Sequence, residues 1–199
     1  MLKPNIESFI GCDSDYENAD IVLFGTPFDS TTSFRPGARF GSSAIRHESF
    51  GLETYSPYQD KDLEDIPIFD GGDLELPFGN PEQALADINA FATKILEDGK
   101  IPFMIGGEHL VTLGAVEAVF AKHPDLHIVH FDAHTDLREE YIGEPLSHSA
   151  VIRHSAKIVG FNNLKQIGIR SGMKEEFELM KKHNTLIHEH HELDCLKNK

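Results

Sequence analysis

Short apolar runs alternate with stretches of helical periodicity along the chain. Ile21-Val22-Leu23-Phe24-Gly25 is apolar throughout and predicts a strand buried on both faces. A loop rich in Thr, Ser, Pro and Gly follows over 26–41, then a helix near 42–49. Ile66-Pro67-Ile68-Phe69 predicts a strand closed by Asp70-Gly71-Gly72-Asp73. Pro67 lacks the amide hydrogen a central strand needs, which points to a sheet edge or a strand start. Asn80-Pro81 predicts a helix entry, a capping side chain followed by proline at the first helical position. Ala84, Ile88, Phe91, Ile95 and Leu96 supply its apolar stripe, and Gly99 ends it. Further strands are expected over 101–105, 126–131, 164–169 and 185–188, with helices over 110–122 and 174–182.

Alternation of this kind predicts an α/β fold, a parallel sheet with helices on both faces. In open sheets of this class ligands bind beyond the carboxyl ends of the strands. The polar, chemically able residues lie there: after Phe24, Phe69, Ile105 and Phe131. No composition shift marks a boundary, so residues 1–199 are read as a single domain.

Composition narrows the function. With 40% hydrophobic residues the 199-residue chain can build one ordinary core, and no repeat or low-complexity tract interrupts it. A net charge of −15 argues against nucleic acid, which needs a basic face. Surplus acid suits a cationic small molecule, although it also serves solubility alone. The N-terminal residues lack the apolar core of a secretory signal, and no apolar run is long enough to span a bilayer. Cys12 and Cys195 make neither a disulfide framework nor a zinc pair. A cytoplasmic protein with reduced thiols is expected.

Asp132, His134 and Asp136 occupy alternate positions just past an apolar strand, so an extended chain would aim all three one way. At ~3.3 Å per residue Asp132 and Asp136 would stand ~13 Å apart. Metal–oxygen and metal–nitrogen bonds are only ~2.0–2.2 Å. The segment must therefore curl, or serve two ions, or both. His130 shares the parity but lies within the strand, where a satisfied core histidine is the expected role. One βα unit earlier, Gly106-Gly107-Glu108-His109 allows a tight turn that sets His109 at a helix N-terminus, a second ligand candidate. Histidine as a residue type can exchange a proton near neutral pH, and His148, in the polar loop Glu144-Pro145-Leu146-Ser147-His148-Ser149 before an apolar segment, suits proton transfer to a leaving amine. His188-Glu189-His190-His191-Glu192 fails as a helical zinc-protease motif, since position 192 is Glu where the second histidine belongs. Gly71-Gly72-Asp73 lacks the spacing of a dinucleotide fingerprint.

As a set these motifs resemble the ureohydrolase family of arginases and agmatinases, most closely its bacterial agmatinases, from about Asp20 to about Asp194. The resemblance is carried by Gly25-Thr26-Pro27-Phe28-Asp29, Phe34-Arg35-Pro36-Gly37-Ala38-Arg39-Phe40-Gly41 and Ile105-Gly106-Gly107-Glu108-His109. It is carried equally by His130-Phe131-Asp132-Ala133-His134-Thr135-Asp136, Leu146-Ser147-His148-Ser149 and Gly168-Ile169-Arg170-Ser171-Gly172-Met173. It implies a three-layer α/β/α sandwich around a parallel sheet, holding two Mn²⁺ ions. His109, Asp132 and Asp136 would then hold one ion, and Asp132 and His134 the other, with Asp132 bridging. His148 matches the family's proton-shuttling histidine. Glu108 stands where many members have Asp.

The residue types suit such chemistry. A guanidinium stays charged at every accessible pH and is a poor electrophile. Two cations ~3.5–4 Å apart can hold a bridging hydroxide against its carbon at neutral pH. Carboxylates favour Mn²⁺ while histidines also suit Zn²⁺ or Fe, so manganese rests on the resemblance. The loop from Leu137-Arg138-Glu139-Glu140-Tyr141 to Ser149 is similar to agmatinases, implying hydrolysis of agmatine to putrescine and urea in a homo-oligomer, a trimer or hexamer. Arginine, guanidinobutyrate and formiminoglutamate stay open as substrates. The family's later Asp-x-Asp strand end is not found in these 199 residues. The sequence is accordingly read as a ureohydrolase domain incomplete at its C-terminal end, with an unpaired sheet edge. A metal-binding module without turnover is the alternative.

Overall fold

A computed structural model describes residues 7–187, which fall into two compact units, Met1–Ala118 and Val119–Lys199. In the first unit, β1 (Ile21–Thr26) is flanked by β4 (Ile68–Asp73) and β5 (Ile101–Gly106), all parallel, in the order β4-β1-β5. β1 is buried at five of its six positions, as its continuous apolar run requires. β4 lies at the sheet edge, and Pro67 sits just before it. The strand continues through Asp70, Gly71, Gly72 and Asp73, residues expected to close it.

Helix α1 spans Gly41–Ser49 and α2 Pro81–Glu97. The Asn80 side chain accepts from Gln83 N at 3.0 Å, capping α2, and Ala84, Ile88, Ile95 and Leu96 face the core. After β5 a short 3₁₀ turn, His109–Val111, leads into α3 (Thr112–Lys122). A two-stranded antiparallel hairpin, β2 (Tyr55–Ser56) with β3 (Lys61–Asp62), was not expected from the pattern; its strands are too short to show periodicity.

The second unit holds another parallel sheet, β6 (Ile128–Phe131), β7 (Leu164–Ile167) and β8 (Leu186–Ile187), with β7 central. These strands are shorter than the apolar runs suggest, and His188 and the histidine-rich segment after it lie outside the described residues. Helix α4 spans Val151–Val159, where no helix was expected, and α5 spans Lys174–His183. Among the described residues, β5 and β6 each pair with one strand. Phe103 on β5 and Phe131 on β6 are 56% and 74% exposed. No helix of the described residues is long and apolar enough to cross a membrane.

Candidate metal centre

In the first unit the Gly-Gly turn after β5 is forced by close packing. A Cβ on Gly107 would lie 2.2 Å from Phe28 O and 2.5 Å from Thr26 O, so no other residue fits. Gly107 N donates to Thr26 O at 3.1 Å and Glu108 N to Phe28 O at 2.7 Å. The Glu108 carboxylate is buried and accepts from Thr31 N at 2.8 Å and Thr31 Oγ1 at 2.6 Å. Glu108 thereby braces the loop after β1. His109, half-buried, opens the 3₁₀ turn at the head of α3, as the sequence predicts.

That same loop is held by Asp29, which accepts from Gly37 N at 2.7 Å, Arg39 N at 3.3 Å and Arg39 Nε at 2.6 Å. The Arg39 hydrogen bond holds the Asp29 carboxyl below its ordinary value, against the opposing effect of burial. Gly71-Gly72-Asp73 has a structural use. Arg46 is buried and bonds Asp70 through Nε at 2.8 Å and Nη2 at 2.9 Å, and also pairs with Asp73. Nothing in the local pattern around Arg46 announces this ion pair, because its partners lie on a separate strand.

In the second unit, residues 132–136 leave β6 and curl. Asp132 Oδ1 accepts from His134 N at 2.7 Å, a side-chain turn that bends the chain two residues on. Asp136 then adopts a positive φ of 49°. Its carbonyl receives Ile152 N at 3.1 Å and Arg153 N at 3.2 Å, satisfying free amides in the first turn of α4. The outer side of the curl is pinned beyond β7: Asp132 N donates to Ile167 O, Thr135 N to Ser171 O, and Arg170 N to Ala133 O, all at 2.9–3.1 Å.

The curl closes the gap that an extended strand would leave. His130, Asp132 and Asp136 each offer a ligand atom within 4.8 Å of one another. His134 is placed differently from the expected common face. Its side chain is 65% exposed, with Nδ1 3.3 Å from Asp132 Oδ1. His130, read as a core residue, is buried with Nδ1 3.1 Å from Gln166 Nε2, and its Nε2 faces Asp132 Oδ2 at 3.4 Å. His148 lies in the turn before α4, its ring edge-to-face with Tyr141 at 5.7 Å.

Two residues that sequence reasoning missed support this loop. Gln166 on β7 donates from Nε2 to Thr135 O at 2.9 Å and contacts His130 Nδ1 at 3.1 Å. Glu176 in α5 accepts from Thr135 Oγ1 at 2.6 Å, Leu137 N at 2.9 Å and Met173 N at 2.6 Å. Both are distant in sequence and carry no motif. The donor set fits a divalent cation, since two partly buried carboxylates this close repel each other and oxygen donors suit hard ions.

Residues 19–199 match the model of the arginase family. Agmatinase from Bacillus subtilis is 53% identical over 95% of this chain, and the chain spans 65% of that relative's length. A crystal structure of a candidate agmatinase from Clostridium difficile superposes with a TM-score of 0.85 at 52% identity, covering 92% of this chain and 67% of that one. The agmatine ureohydrolase of Thermoplasma volcanium matches with a TM-score of 0.82 at 34% identity, over 92% of this chain and 60% of that one. The shared fold is the α/β architecture with helices on both sides of parallel strands.

Proposed function

The chain belongs to the arginase family, a metal-dependent family of hydrolases, and from that premise we propose an agmatinase-type ureohydrolase, hydrolysing agmatine to putrescine and urea. The observation that supports it best is the approach of the Asp132 and Asp136 carboxylates in a curled loop that an extended strand would keep apart. A single family match running through both units supports reading them as one ureohydrolase domain.

His109, Asp132 and Asp136 would hold one Mn²⁺, and Asp132 with His134 would hold a second. When bound, such ions supply Lewis acidity and make water a usable nucleophile near neutral pH. The chain's own residues do the rest. Asp132 and Asp136 offset positive charge, so that a guanidinium is tolerated beside cations. His148, on its turn beside Tyr141, carries a proton to the amine that leaves as putrescine. The protein is read as a cytoplasmic enzyme of polyamine synthesis, a homo-oligomer (trimer or hexamer).

The test measures urea release from agmatine, arginine and guanidinobutyrate, and formamide release from formiminoglutamate, each with Mn²⁺. Agmatine is expected to give the highest kcat/KM. Faster turnover of another substrate rejects the substrate assignment, and Mn²⁺ binding without turnover of any of them rejects the enzymatic reading for this chain.

A further inference from the structure

His130 lies among the side chains whose ligand atoms gather beside Asp132 and Asp136, so proximity alone would nominate it as a metal ligand. Its hydrogen-bond partners argue otherwise. Gln166 and Thr185 are fully buried, and His130 is 6% exposed. Thr135 O can only accept, so the Gln166 atom 2.9 Å away must be the amide nitrogen. The amide orientation is thereby settled, and Thr185 Oγ1 donates to Gln166 Oε1 at 3.1 Å in agreement with it. The second hydrogen of the Gln166 amide meets His130 Nδ1 at 3.1 Å.

Nδ1 therefore accepts, and in the neutral ring the proton sits on Nε2. Nε2 is the atom that faces Asp132 Oδ2 at 3.4 Å. For Nε2 to bind a metal its proton would have to move to Nδ1, where it would confront an amide N–H that cannot accept. Two buried donors would then face each other, leaving one unsatisfied. The other oxygen of Asp132 accepts from His134 N at 2.7 Å, with His134 Nδ1 3.3 Å away from it.

We propose that His130 is a positioning residue and not a ligand: Gln166 fixes its tautomer so that the protonated Nε2 is the atom facing Asp132 Oδ2, where it favours the charged carboxylate that a metal needs. The contact at 3.4 Å is longer than a formed hydrogen bond and acts by proximity of a polar N–H to the carboxylate charge. Outer partners of this sort are typically worth 10–100-fold in metal affinity. This inference rests on the reading of Asp132 as a metal ligand, and the test separates the two.

Imidazole nitrogen shifts of the full chain, read by NMR without metal and with diamagnetic Zn²⁺, are expected to show His130 protonated at Nε2 in both conditions. A proton on Nδ1, in either condition, overturns the proposal. By calorimetry, His130→Phe is expected to weaken Mn²⁺ binding about 10–100-fold, while His130→Gln, which keeps an N–H near the Nε2 position, stays within about threefold of the parent. Equal losses in both variants, or no loss in His130→Phe, overturn it as well. Asp132→Ala should abolish Mn²⁺ binding; if binding survives there, the ligand reading fails, whatever the tautomer of His130.

Discussion

Glu176 Oε1 accepts a hydrogen bond from Thr135 Oγ1 at 2.6 Å, tying α5 to the middle of the ligand loop. The same oxygen takes Leu137 N at 2.9 Å, and Oε2 takes Met173 N at 2.6 Å at the start of α5. One buried carboxylate thus fixes the exit of the 132–136 curl and the head of the helix that follows β7. Removing it leaves buried donors on both sides.

Glu176→Ala should therefore destabilise the chain by about 2–4 kcal/mol in denaturant unfolding, through unsatisfied buried groups and not through lost apolar packing. Mn²⁺ affinity should fall with it, because Asp132 and Asp136 flank the segment it restrains. Glu176→Gln, which keeps the shape and one acceptor, should lose less on both counts. Unchanged stability in the alanine variant would refute the bracing role.

His148→Asn should lower kcat by about 10²–10⁴ while leaving Mn²⁺ affinity unaltered, the signature of proton transfer without ligation. Calorimetry and steady-state kinetics on the same preparation separate these effects. A parallel loss of metal binding would reassign His148 as a ligand or a structural residue.

Gly107→Ala meets backbone atoms at 2.2 and 2.5 Å, and backbone cannot move aside as a flexible side chain can. The turn after β5 must then shift, at a cost of about 3 kcal/mol or more, beyond ordinary overpacking. A melting temperature equal to that of the parent would contradict this packing.

The pair of Asp29 and Arg39 should make stability depend on pH in one direction only. The Asp29 carboxyl is held below its ordinary 3.8, first by the Arg39 hydrogen bond. Its contribution is fully present above the unfolded value and disappears as pH falls through the folded one. The difference in unfolding free energy between parent and Asp29→Asn should be constant above about pH 5 and shrink toward zero in stronger acid. A difference that grows on acidification would reverse the sign and refute the assignment.

Much of the fold was legible because its signals are local. The apolar run of β1, the Asn80-Pro81 entry to α2 and the βα alternation are properties of neighbouring residues. Helix α4 was missed for a definable reason: its N-cap is Ala150, with no side-chain cap, and its first amides are met by the carbonyl of Asp136 from far upstream. A cap made by distant backbone leaves no trace in composition.

The candidate site divides the same way. Sequence alone determined which residues are candidates for the chemistry, since Asp132, His134, Asp136, His109 and His148 stand out by type and by position at strand ends and turns. It also required the ligand segment to curl or to serve two ions, because short side chains cannot bridge an extended strand. Only the tertiary structure decided how the loop curls, and that both an exposed His134 and a buried His130 lie beside Asp132. It also assigned Glu176 and Gln166 to hold the loop. A loop has no repeating internal hydrogen bonds to set its shape, so its conformation is fixed by whichever distant donors and acceptors the fold brings to it.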